Sequence, residues 1–301
     1  MKNKIFEAIL TNYVRFTGVK EISLMSKLIF FDIDGTLISF DGELPQSTIR
    51  ALKNAQARGH KIFICTGRSK CQIEDRLLDI GFDGIVAASG AYTEYHGKVV
   101  NAEYMDPERL KKLLTFFDKN NIVYMLQCSD KVVATTKSLT AMKEIFKEKL
   151  KNKPKSIDKI FAKQHEDDDL SSHFDTYTNA EKACYYLSPL SLDEVEHSLN
   201  DDFDVTAMSF KDSNDSSGEI CMKDITKAYG MKKIIDYLDS SVEDTIAFGD
   251  GPNDFEMLEF ANIGVAMGNA SPALKEKANM ITSKITEDGI YNGMKKLGLI
   301  S

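Results

Sequence analysis

Lys27-Leu-Ile-Phe-Phe-Asp32-Ile-Asp34-Gly-Thr-Leu37 is the stretch on which the reading of this chain turns. After one lysine come four apolar residues in a row, the pattern of a strand buried on both faces of a parallel sheet. Two carboxylates follow, two positions apart, so on a continuing strand they project together from its C-terminal end. In open α/β sheets that is where ligands bind. A carboxylate pair there suits a hard, oxygen-seeking cation such as Mg²⁺. It equally suits a nucleophile beside an acid/base. The same D-x-D-G spelling also describes a calcium loop or a plain turn, and the buried strand before it argues against the exposed calcium loop.

Outward from this strand, the chain repeats the alternation. A helix with Ser47 as its candidate cap carries Ile49, Leu52 and Ala55 on one face and stops at Gly59. A strand over 61–66, a helix over 72–78 and a strand over 84–88 follow. This is the start of an α/β fold, a doubly wound, Rossmann-like parallel sheet. Between 92 and 221 the rhythm changes. Surface helices are expected at 106–119, 140–150 and 191–199, strands at 132–135, 184–187 and 205–209, and polar turns at 164–169 and 211–218, which together read as an inserted α+β domain. After Cys221 the α/β rhythm returns, with a helix carrying Met231, Ile234, Ile235 and Leu238. Strands at 245–248 and 263–267 then flank a short helix, and Ser271-Pro272 opens a last one. The expected organisation is an extension (1–25), a first core block (26–91), an insertion (92–221) and a second core block (222–301).

Composition narrows the function classes. A length of 301 residues suits two domains, and a net charge of −8 argues against a nucleic-acid partner or an anionic membrane surface. Five dispersed cysteines, with no C-x-x-C, point to a reduced, cytoplasmic protein without a disulfide frame. No apolar run approaches the ~18 residues that span a bilayer. In residues 1–25, Ile5, Phe6, Ile9, Leu10, Tyr13 and Val14 recur at helical spacing. The apolar run there is too short for a signal peptide, and the segment reads as a dispensable extension with Met25 as an alternative start. No motif speaks to oligomeric state.

Three further motifs carry chemistry. Phe248-Gly-Asp250-Gly-Pro-Asn253-Asp254 is a second acidic loop after a second apolar strand. If the two strands are neighbours, Asp250 and Asp254 converge on Asp32 and Asp34, and four carboxylates in one place call for a divalent cation. Taken alone, the loop is also good turn chemistry. Thr66-Gly67-Arg68, between a strand and a helix, offers a hydroxyl and free amides as a phosphate cradle, or simply a capped helix start. Lys227 opens a helix, where positive charge is unfavourable, which is consistent with another duty; Lys223 is the competing cation.

With these motifs in order, the chain resembles the haloacid dehalogenase-like (HAD) hydrolases, and within them the Cof-type phosphatases with a large α/β cap. Phe31 to Leu37, Thr66 to Arg68, Lys227 and Gly249 to Asp254 stand for the family's four motifs, and Ile263-Gly-Val-Ala-Met-Gly-Asn-Ala270 looks like its glycine-rich segment. The spacing from Lys227 to Asp250 is typical of that family and favours Lys227 over Lys223. Residues 1–24 are extra, and Ser89 stands where the family usually has Asn.

The resemblance implies Mg²⁺-dependent hydrolysis of small phosphorylated metabolites through an aspartyl-phosphate. Asp32 is then the nucleophile and Asp34 the acid/base. The metal set is Asp32, Asp34 through its backbone carbonyl, Asp250 and Asp254. Ile33, Thr66, Gly67, Lys227 and Asn253 hold the phosphate, and Arg68 and Ser89 contact substrate near the cap. A sugar-phosphate mutase or phosphotransferase, or a non-enzymatic phosphate sensor docking through the N-terminal helix, are the alternatives.

Overall fold

The computed structural model describes residues 26–149, 164–208 and 217–301; the expected N-terminal helix and most of the 211–218 turn lie outside them. The strands are β1 (Leu28–Phe31), β2 (Lys61–Cys65), β3 (Gly84–Ala87), β4 (Tyr92–Tyr95), β5 (Lys98–Ala102), β6 (Val123–Cys128), β7 (Val132–Ala134), β8 (Gln164–Glu166), β9 (Ala180–Tyr186), β10 (Phe203–Ala207), β11 (Gly218–Met222), β12 (Thr245–Gly249), β13 (Ile263–Ala266) and β14 (Met280–Ile281). One sheet runs β14-β13-β12-β1-β2-β3-β4-β5, parallel from β14 to β3 and antiparallel over β4 and β5.

β1 lies near its centre with all four side chains buried. Phe30 stacks on Phe63 at 4.8 Å and Phe31 on Phe248 at 5.1 Å, so alternate residues of one strand anchor opposite faces. One face packs on the helices Gln46–Ala57 and Gly289–Lys296, the other on Lys227–Tyr237, Phe255–Phe260 and Pro272–Lys277. This double covering is what a run of buried apolar strands requires.

The second sheet, β10-β11-β9-β6-β7-β8, is antiparallel except for β7 with β8. Its own core holds Leu110, Leu113 and Phe117 of the helix Pro107–Lys119 against Tyr124, Tyr185 and Phe203.

Within the expected 92–221 insertion, β4 and β5 pair with the first sheet as a hairpin. The edge strand β5 is exposed or half-exposed, with Val99 51% exposed, and β4, though buried, carries Thr93 and Glu94, so neither reads as an apolar run. The helix expected over 72–78 is a short 3₁₀ turn, Lys70–Gln72, and a single helical turn, Asp75–Leu78; between them Ile73 is extended. The polar segment at 164–169 opens with β8, which the pairing to β7 holds as a strand despite its polar residues.

Candidate active site

β1 and β12 are parallel neighbours in the register Phe31↔Phe248, and the Asp32 amide donates to the Phe248 carbonyl at 3.0 Å. From here the chain order runs outward in both directions, to β2 and β3 on one side and to β13 and β14 on the other. This is the switch point of the sheet, where a crevice opens at the strand ends. Both acidic loops therefore emerge side by side. Carboxylate oxygens of Asp32, Asp250 and Asp254 lie within 4.8 Å of one another, and all three residues are buried.

Lys227 stands in the first turn of its helix behind Thr226, whose hydroxyl caps the Tyr229 amide. Completely buried, it donates at 2.6 Å to both Asp32 Oδ1 and Asp254 Oδ1. Lys223 is exposed and pairs with Asp204 at 2.7 Å, so the geometry separates the two lysines. Asp254 Oδ2 accepts from the Asp250 and Gly251 amides, each at 2.9 Å; its carboxylate thus fixes both the loop and the lysine.

Asp250 is held by the Thr36 hydroxyl at 2.8 Å and the Asn269 amide at 3.1 Å. Asn269 also donates to the Gly35 carbonyl and accepts from the Ile285 amide, tying three loops together. Gly35 has φ +91°, and a Cβ there would stand 2.1 Å from Asp250 Oδ2, so the turn admits only glycine.

Three buried carboxylates face one buried ammonium. Burial pushes the Asp32 carboxyl well above its usual range; Lys227 opposes this, and Asp254, Asp250 and Asp34 add to it. Asp250 is pushed up to about 7, by burial first and Asp254 next. Lys227 is held above its ordinary value because Asp254 and Asp32 outweigh its own burial. An all-oxygen donor set with surplus negative charge fits a divalent cation.

The Asp34 carboxylate stands outside the tight triad. Its side chain turns away into a fork with Arg68, whose Nη2 donates at 2.6 Å and Nε at 2.8 Å. β1 ends at Phe31, and Asp34 lies in the turn beyond it, so strand alternation no longer decides where it points.

Thr66 is buried at the end of β2, and its Oγ1 accepts from the Arg68 amide. Ile33 is buried, and Asn253 packs beside Gly67. Ser89, with φ +55°, has its amide on the Thr66 carbonyl, and its hydroxyl accepts from Lys182 at 3.1 Å. Four residues were not singled out by sequence. Thr36 sat inside the first motif and Asn269 inside the glycine-rich segment, where a role was legible. Lys182 and Glu219 lie in the second sheet with no local signal; only the tertiary fold brings them to Gly67.

A family model described as haloacid dehalogenase-like hydrolase matches residues 29–294. The Bacillus subtilis protein YkrA is 31% identical over 275 residues, covering 91% of this chain and 99% of that one. The Escherichia coli pyridoxal phosphate phosphatase YbhA is 28% identical over 287 residues, covering 89% and 97%. Among solved structures, the HAD subclass IIB sugar phosphatase BT4131 superposes with a TM-score of 0.72 at 28% identity, covering 91% of this chain and all of the other.

Proposed function

Because the chain belongs to the haloacid dehalogenase-like hydrolases and is a phosphatase of that type, we propose that it hydrolyses small phosphorylated metabolites, sugar phosphates or similar monoesters, through an aspartyl-phosphate on Asp32. The observation that carries this reading is Lys227, buried and bridging Asp32 to Asp254 inside the carboxylate triad. Among relatives, one is named for pyridoxal phosphate and one structure is a sugar phosphatase, which supports a small monoester as substrate.

In this proposal Lys227 occupies Asp32 Oδ1 and fixes the carboxylate, leaving Oδ2 to attack phosphorus. A new Asp32 oxygen–phosphorus bond, an acyl phosphate, forms as the bond to the leaving oxygen breaks, and that oxygen takes a proton from Asp34. Water then attacks the phosphorus while Asp34 accepts its proton. Orthophosphate leaves and the Asp32 carboxylate returns. Arg68 holds both Asp34 carboxylate oxygens and fixes this group beside the end of β1. Thr66, the amides of Ile33 and Gly67, and Asn253 line the phosphoryl group, since phosphoryl transfer depends mainly on positioning and charge neutralisation. Asp32, Asp250, Asp254 and the Asp34 backbone carbonyl would hold Mg²⁺. When bound, the ion supplies positive charge that lets Asp32 stay ionised beside an anionic ester.

The direct test is Asp32→Asn, assayed for orthophosphate release from an aryl phosphate in Mg²⁺. Turnover falls by about 10³-fold or more, with the fold retained, since nucleophile removal in comparable covalent mechanisms costs at least that much. Activity near wild type would overturn the assignment.

A further inference from the structure

Lys182 of β9 is fully buried, yet it belongs to the second sheet. Its ammonium donates to the Gly67 carbonyl at 3.0 Å, to the Ser89 hydroxyl at 3.1 Å and to Glu219 Oε2. An ammonium has three hydrogens, so this lysine has none left for a ligand. Burial works to discharge it, and Glu219, Cys221 and Cys184 together outweigh that and hold its pKa above the ordinary value.

Glu219 stands on β11 in the register Glu219↔Cys184 and Cys221↔Lys182, which places all four side chains on one face of the second sheet. Gly67 marks where that face meets the first domain. A Cβ on Gly67 would lie 2.9 Å from Asn253 Nδ2, 3.2 Å from Glu219 Oε2 and 3.5 Å from Lys182 Nζ. The loop after β2, the loop after β12 and the second sheet therefore converge with no room for a methyl group. Glu219 Oε1 has no hydrogen-bond partner among the described residues, and the side chain is 13% exposed. What the second sheet presents beside the phosphate loop is thus a carboxylate oxygen that only accepts, backed by a lysine that is already spent.

We propose that Glu219, held in place by Lys182, determines substrate specificity: it selects leaving alcohols that offer hydroxyl or N–H donors beside the phosphoester and rejects those carrying a second phosphate. The inference rests on the phosphatase reading above. A substituent leaving the phosphoryl group near Gly67 and Asn253 meets this oxygen, and a second anion meets an oxygen that only accepts, with no N–H to bind it because all three Lys182 hydrogens are already donated. Specificity then comes from repulsion as well as attraction. Lys182 is a positioning residue; without it Glu219 loses the partner that fixes its carboxylate.

The experiment measures kcat and KM in Mg²⁺ for wild type, Glu219→Ala and the near-isosteric Glu219→Gln. The substrates are a hexose 6-phosphate, a hexose bisphosphate and p-nitrophenyl phosphate, which has no donors. In Glu219→Ala, kcat/KM for the monophosphate falls by about 10–100-fold, chiefly through KM, the usual cost of a hydrogen bond to a charged group. That fall exceeds the one for p-nitrophenyl phosphate by at least about tenfold. In Glu219→Gln the preference for monophosphate over bisphosphate narrows by about tenfold or more, since the charge is gone and the shape kept.

Equal losses on all three substrates would reduce Glu219 to a structural role and overturn the proposal. So would an unchanged mono-to-bisphosphate ratio in Glu219→Gln, or wild-type turnover of p-nitrophenyl phosphate with neither sugar phosphate hydrolysed. Wild-type inactivity on p-nitrophenyl phosphate as well would instead remove the phosphatase reading on which the inference stands.

Discussion

Replacing Glu181 by Gln stabilises the protein at neutral and alkaline pH and does progressively less so as the pH falls. In the β6–β9 pairing Gln127 faces Lys182 and Cys128 faces Ala180, so Glu181 is the extra residue of a bulge. It is completely buried; the Ser69 hydroxyl lies close to its carboxylate but outside hydrogen-bonding geometry, and no other group among the described residues bonds it. Burial raises its pKa from 4.5 to about 7; the Ser69 hydroxyl and Lys182 pull the other way, and Asp130 adds a little. The folded carboxyl therefore keeps its proton where the unfolded one has lost it.

Below pH 4.5 both states are protonated and Glu181 costs nothing. Stability is lost as the pH rises toward 7, and above that the loss is complete. The gap corresponds to a ceiling of about 3 kcal/mol, which the neutral, isosteric glutamine avoids. A buried amide carries its own desolvation cost, but that cost does not vary with pH. The diagnostic quantity is therefore the variant-minus-wild-type difference, measured by urea unfolding at pH 5, 6, 7 and 8. Circular dichroism or the fluorescence of the 11 tyrosines reports it, since the chain has no tryptophan. The difference should grow by about 2–3 kcal/mol across that range. A difference flat to within about 0.5 kcal/mol would refute the argument that burial holds this proton.

Other perturbations address the triad. Gly35→Ala, which drives a Cβ to 2.1 Å from Asp250 at φ +91°, should abolish turnover and weaken Mg²⁺ binding, read by titration calorimetry. Lys227→Met leaves three buried carboxylates without their ammonium. It should cost about 3–5 kcal/mol in metal-free buffer, and added Mg²⁺ should raise Tm more in the variant than in wild type. Asn269→Ala removes bonds to both Gly35 and Asp250 and should weaken Mg²⁺ affinity about tenfold or more with little change in fold, checked by the Mg²⁺ dependence of activity.

The sequence by itself determined what is local and periodic. The all-apolar Leu28–Phe31 marks a central strand, the glycine and aspartate turns after β1 and β12 mark strand ends, and Lys227 marks a misplaced charge at a helix start. These are legible because a doubly covered parallel strand and a catalytic turn each impose composition on consecutive residues. Only the tertiary structure decided which carboxylates meet. Asp34 left the cluster for Arg68 because it lies past the strand end, where alternation no longer constrains a side chain. That the hairpin β4–β5 pairs with β3 of the first sheet was not legible, because an antiparallel edge looks the same in sequence whichever sheet it extends. Lys182, Glu219 and Glu181 sit on strands whose neighbours say nothing of the first domain. Their roles follow from how the second sheet closes on Gly67 and Ser69, a contact between residues more than a hundred positions apart that no local pattern encodes.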